Sequence, residues 1–129
     1  MSVNIVLAVG LDSWLLTRHS ALWRSAGYIV LAAASVREAI DHFKTGDFDL
    51  VLLGDSMSEE NKERLTYLIR ASGARTPVVS IANSSGTLDS FADATIPNDA
   101  NELLAGMGEL LARESRAHAH SGNQLANAF

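Results

Sequence analysis

Asp49-Leu50-Val51-Leu52-Leu53-Gly54-Asp55 sets the architecture expected of this chain. Four consecutive apolar residues, all Val or Leu, stand between polar ends. The run is too short for a helix and reads as a strand buried on both faces. Strands of that kind belong to parallel sheets covered by helices, and open sheets of this class place their chemistry at the carboxyl ends of the strands. At that end this chain carries Gly54, with Asp55 one step beyond.

The flanking sequence repeats the same alternation. Val3–Val9 reads as a first strand and is followed by a helix over Ser13–Ala26, with Asp12 or Ser13 as its cap. Gly27 stops that helix and Tyr28–Ala32 gives a second strand. Ser35-Val36-Arg37-Glu38 is a capping box, and Val36, Ala39, Ile40 and Phe43 then form one apolar stripe up to Gly46. After the third strand, a helix is expected from Ser58 to Ser72 with Leu65, Leu68 and Ile69 inward. Pro77–Ala82 is a fourth strand, Thr87–Ala92 a short fourth helix, and Ala94–Ile96 a brief fifth strand. Asp99 caps a fifth helix carrying Leu103, Leu104, Met107, Leu110 and Leu111. Five strands alternating with five helices predict an α/β, flavodoxin-like, doubly wound parallel sheet of order 2-1-3-4-5 with helices on both faces. Residues 1–113 read as one domain and 114–129, rich in Ser, His, Ala and Asn, as a disordered tail.

Composition bounds the function. The 129 residues carry a net charge of -5, which does not favour nucleic acid. Cysteine is absent, so disulfides and thiolate chemistry are excluded. The apolar run Ile5–Val9 is too short for a membrane span and lacks the basic start of a signal peptide, so a cytoplasmic location is expected.

The element order, together with Ser25-Ala26-Gly27-Tyr28, Asp47-Phe48-Asp49-Leu50-Val51-Leu52-Leu53 and Thr76-Pro77-Val78-Val79, resembles the receiver domains of bacterial two-component response regulators. The resemblance runs from Asn4 to Ala112. It implies five active-site positions, and each departs from the family pattern. The magnesium-binding acidic pair falls on Gly10 and Leu11, with Asp12 one step later. The phosphoacceptor position is Gly54, and the Thr or Ser closing strand four is Ala82. The lysine after strand five is replaced by Ile96 or Asn98, and the switching aromatic by Asp93 or Thr95.

Aspartyl phosphorylation needs a carboxylate nucleophile, a divalent cation and a fixed positive charge. Magnesium in such sites is held by one or two carboxylates plus water and phosphoryl oxygens. A chain stripped of all of these is expected to be a pseudo-receiver. Such a protein is a stand-alone signalling module acting by protein–protein contact, not an enzyme, and has neither cofactor nor metal. Two other readings use the same strand ends. Asp55 could serve as a displaced phosphoacceptor with Asp12 holding a metal, although strand alternation turns Asp55 away from the side Gly54 faces. The cleft could instead bind a small ligand through Ser56, Ser58, Asn83, Ser84, Ser85 and Gly86, yet no phosphate-loop spacing is present.

The resemblance also implies a protein partner, and a weak homodimer, at the face of the fourth helix, fifth strand and fifth helix. Gly106 and Gly108 weaken the fifth helix by about 1 kcal/mol each relative to Ala, and they permit close backbone approach. Lys62, Arg64, Arg70 and Arg75 alternate with Glu59, Glu60 and Glu63 and read as a solvated face. Trp14 and Trp23 lie nine residues apart on the first helix, about 180° around it, so one is expected in the core and the other at the rim or a contact. His118 and His120 lack further ligands and read as incidental.

Overall fold

The computed structural model describes residues 4–11, 13–82 and 90–113. Five strands, β1 (Asn4–Val9), β2 (Tyr28–Ala33), β3 (Leu50–Leu53), β4 (Val78–Ile81) and β5 (Ala94–Ile96), pair in parallel in the order β2-β1-β3-β4-β5. The helices are α1 (Ser13–Ser25), α2 (Val36–Thr45), α3 (Glu59–Ala71) and α4 (residues 100–113). The short helix expected over 87–92 falls largely outside the described residues, of which 90–92 form a turn and bend. Asp12 and the segment 114–129 also lie outside the described set.

Local chemistry accounts for the helix boundaries. The Ser35 hydroxyl caps α2 by accepting from Glu38 N–H at 3.1 Å, and the Glu38 carboxylate reaches back one residue past the cap to accept from Ala34 N–H at 3.3 Å. Ser58 caps α3 through Asn61 N–H at 3.2 Å, and the Asp99 carboxylate caps α4 through Glu102 N–H at 3.0 Å. Gly27 ends α1 at φ +88°, a conformation that L side chains rarely adopt.

The apolar run of β3 divides between two cores because strand side chains alternate. Leu50 and Leu52 join Val6, Val79, Ile81, Trp23, Leu103 and Met107 beneath α1 and α4. Val51 and Leu53 join Leu7, Val9, Val78, Ala39, Leu65 and Ile69 beneath α2 and α3. All four β3 side chains are fully buried, each contributing about 1.5–3 kcal/mol relative to exposure.

One helix face differs from expectation. Leu68 is 39% exposed, whereas α3 buries Lys62, Leu65, Thr66 and Ile69. Those four stand at i, i+3, i+4 and i+7, which is one helix face, and Leu68 lies about 100° around the helix from Ile69. The resulting exposure of Leu68 is a matter of helix rotation against the sheet.

Candidate functional site

β1 and β3 are neighbours, with Val9 opposite Leu53. Gly10 and Gly54 therefore leave the sheet side by side. Gly54 N–H donates to the Val9 carbonyl at 2.7 Å, and Gly10 N–H donates to the Ala33 carbonyl at 3.1 Å. The Ser56 hydroxyl donates to the Gly10 carbonyl, and Met57 N–H returns to the Gly54 carbonyl at 3.2 Å. These bonds draw the loop after β3 against the loop after β1.

The space where a side chain of residue 54 would stand is filled by main chain. A Cβ there would lie 2.6 Å from the Gly10 carbonyl carbon and 2.9 Å from Leu11 N. Backbone cannot rotate away as a flexible side chain can. Gly10 is constrained in a different way. Its φ is +67°, and a Cβ there would overlap Met57 Cγ and approach Met57 Sδ at 3.2 Å. Any residue with a side chain at position 10 meets both strain and contact.

The other expected positions separate. Leu11 is partly buried against the α1/α4 core, so it fills apolar space where the resemblance implies an acid. Ala82 N–H donates to the Ile96 carbonyl at 2.8 Å, joining β4 to β5, and its methyl group offers no hydroxyl. Of the two candidates for the lysine position, Ile96 is buried in the core, where the close approach of Gly106 leaves no room for a Cβ. Gly106 thus serves packing within the fold, whereas at Gly108 a Cβ would meet only the Tyr28 hydroxyl, at an ordinary contact distance of 3.7 Å. Asn98 reaches the strand ends instead, donating from Nδ2 to the Asp55 carboxylate at 3.2 Å. Asp55 is half-buried and occupied by that contact, while its proposed companion Asp12 lies outside the described residues. The same holds for Asn83, Ser84, Ser85 and Gly86 of the ligand reading. Asp93 is structural: it accepts from Val78 N–H at 2.7 Å and pairs with Arg70 at 2.5 Å.

Lys62 was expected on a solvated face, but it is fully buried. Its ammonium donates to Ser80 Oγ and to the Ile81 carbonyl, both at 2.9 Å, and Glu59 stands 4.0 Å away. Ile81 immediately precedes Ala82, so a positive charge from α3 is anchored at the carboxyl end of β4. The interaction is charge-assisted and joins two elements that the sheet alone does not connect. The sequence signal was the 62-65-66-69 stripe, in which one position of the buried face happens to be lysine.

Away from the strand ends, His19 and Trp23 stack on α1 with ring centroids 5.6 Å apart. Burial, aided by the Arg18 charge and opposed by Asp99, holds the His19 imidazole below its ordinary value. Burial pushes the Tyr28 phenol up. The side chain of Trp14 lies outside the described residues, but Trp23 is the core member of the pair. Among the described residues no group of three or more His, Asp or Glu side chains is placed to hold a metal ion, and no helix is long and apolar enough to cross a membrane.

Sequence comparison finds no matching family model and no matching curated protein. Structural comparison does. A chemotaxis response regulator of Vibrio cholerae superposes with a TM-score of 0.69 at 19% identity, covering 84% of this chain and 98% of that one. This chain has the receiver fold. The receiver domain of a Pseudomonas aeruginosa sensor histidine kinase, solved with magnesium in its active-site cleft, gives 0.72 at 19% identity, covering 86% and 99%. A response regulator solved in complex with a histidine kinase gives 0.70 at 20% identity, covering 84% and 98%. The receiver fold expected from the sequence, including its strand order, is therefore found. The carboxyl-end cleft of this receiver fold is where the two glycines close together.

Proposed function

We propose that this protein is a receiver-fold signalling module that works by protein–protein contact and does not undergo aspartyl phosphorylation. The observation that carries the reading is the contact between Gly54 and the Gly10–Leu11 main chain. Phosphoryl transfer depends on a positioned nucleophile and on charge neutralisation around the phosphoryl oxygens. Here the acceptor position holds no side chain and has no room for one. Leu11 is apolar, and the cation at the strand ends is already engaged by Ser80 and Ile81. What remains at these strand ends is a scaffold with surfaces. The response regulator solved with a histidine kinase shows that a receiver fold can engage another protein.

The test is titration with magnesium and beryllofluoride followed by amide NMR, together with intact-mass measurement after acetyl phosphate treatment. The amides of Gly10, Gly54 and Ala82 are expected to stay in place, and the mass to stay unchanged. A saturable shift at those amides, or a phosphoryl adduct abolished by Asp55→Asn, would overturn the reading in favour of the displaced acceptor.

A further inference from the structure

The chain is acidic overall, yet the groove between α2 and α3 is basic. This groove has a volume of about 810 Å³ and is lined by Arg37 and Lys44 of α2 and Arg64 of α3, with Asp41 as its one acid. Arg37 and Lys44 are seven residues apart, two helical turns, and so share one face of α2. Among the described residues none of the three cations makes a hydrogen bond or ion pair. Asp41 forms no ion pair with Arg37 or Lys44, although its spacing to each suits one on a helix. Between the charges lies apolar surface: Ile40 is half-buried and Leu68 is 39% exposed. Leu68 is the residue that rotation of α3 turned out of the core.

We infer that the α2–α3 groove docks an acidic amphipathic segment of a partner protein, its apolar residues on Ile40 and Leu68 and its carboxylates on Arg37, Lys44 and Arg64. Charge complementarity argues for this occupant. Three cations against one acid, none of them in an ion pair among the described residues, surround an apolar strip and match a segment with carboxylates beside an apolar row, and such matching fixes partner choice and orientation. A purely polyanionic ligand would leave the apolar strip unused. The inference rests on the protein-contact reading above, but it names the groove between α2 and α3 rather than the contact of Gly10 with Gly54, and can fail without it.

The probe is a synthetic helical peptide with leucines at i, i+3, i+4 and i+7 and glutamates on both flanks, titrated into the full chain by amide NMR. Polyglutamate and a single-stranded oligonucleotide are run in parallel. The peptide is expected to saturate shifts at Arg37, Ile40, Arg64 and Leu68, more tightly than either control, and more weakly as salt rises. The double substitution Arg37→Glu/Arg64→Glu should weaken binding at least about tenfold, since opposed charges are replaced by like ones. Arg37→Lys/Arg64→Lys should retain it. Lys44→Glu serves if the double variant loses its dispersed amide spectrum. The inference is overturned if the peptide does not bind, if it shifts amides elsewhere, if charge reversal leaves its affinity unchanged, or if the oligonucleotide binds as tightly. Beryllofluoride titration of the same sample separates this from the reading it rests on: a phosphoryl-mimic response defeats that reading whatever the peptide does.

Discussion

Restoring the acceptor should break the fold before it restores any chemistry. Gly54 is buried, and a Cβ at that position would stand 2.6 Å and 2.9 Å from atoms of the facing main chain. Gly54→Ala therefore forces the loop after β1 away from the loop after β3, straining the Ser56 bond to Gly10 and the Met57 contact. Overpacking of a filled interior costs about 1–3 kcal/mol, and backbone as the opposing surface places this site near the upper end. Gly54→Asp adds an unpaired carboxylate, worth roughly a further 3–5 kcal/mol at a buried position without its cation. The sum approaches the whole stability of a small domain, about 5–15 kcal/mol. Urea unfolding of wild type and both variants reads these values directly. The difference between the Asp and Ala variants should shrink as pH falls toward the ordinary aspartate pKa, because a buried carboxyl with a raised folded pKa binds its proton first in the folded state. Acetyl phosphate should label neither variant. Adding Gly10→Asp should make matters worse, since position 10 is at φ +67° against Met57. A Gly54→Ala variant within about 0.5 kcal/mol of wild type, the range of an ordinary surface change, would refute the close-contact argument.

Two further expectations follow from the buried groups. Lys62→Met keeps an unbranched apolar side chain but removes both 2.9 Å bonds at the end of β4, and relief of ammonium burial offsets part of that loss. A net destabilisation of about 1–3 kcal/mol is expected, seen as a lower urea midpoint with unchanged slope. A Met variant as stable as wild type would show that the pin contributes nothing. His19 has a folded pKa held below its ordinary 6.5 by burial, so the unfolded chain takes up the proton first. Its contribution is complete above about pH 6.5 and is lost as pH falls through the folded pKa. Urea midpoints of wild type minus His19→Phe should decline between neutral and mildly acidic pH, and a difference that rises or stays flat would contradict the assignment.

The parts of this structure that were legible in the chain are those governed by local chemistry. Leu50–Leu53 read as a strand buried on both sides, because four consecutive Val and Leu residues between polar ends leave no polar face. Ser35, Ser58 and Asp99 marked helix starts because a short polar side chain satisfies an otherwise unpaired backbone N–H. Alternating strands and helices implied a parallel sheet, and the order 2-1-3-4-5 was expected because it is the common doubly wound arrangement with its cleft between strands one and three. That Gly10 and Gly54 follow β1 and β3 could also be read, since each position is a matter of register. Two features could not be read there. That Gly54 faces the Gly10 main chain depends on how the loops after two neighbouring strands settle once β1 and β3 pair, and glycine alone does not reveal whether its space is open or filled. That Lys62 is buried while Leu68 is not depends on the rotation of α3 against the sheet. Side-chain hydropathy favoured the leucine, but Leu65 and Ile69 set the rotation, and the same turn that put Lys62 beneath the helix found it acceptors on Ser80 and Ile81. Such acceptors come from a strand 18 residues away in sequence and exist only once the sheet has formed.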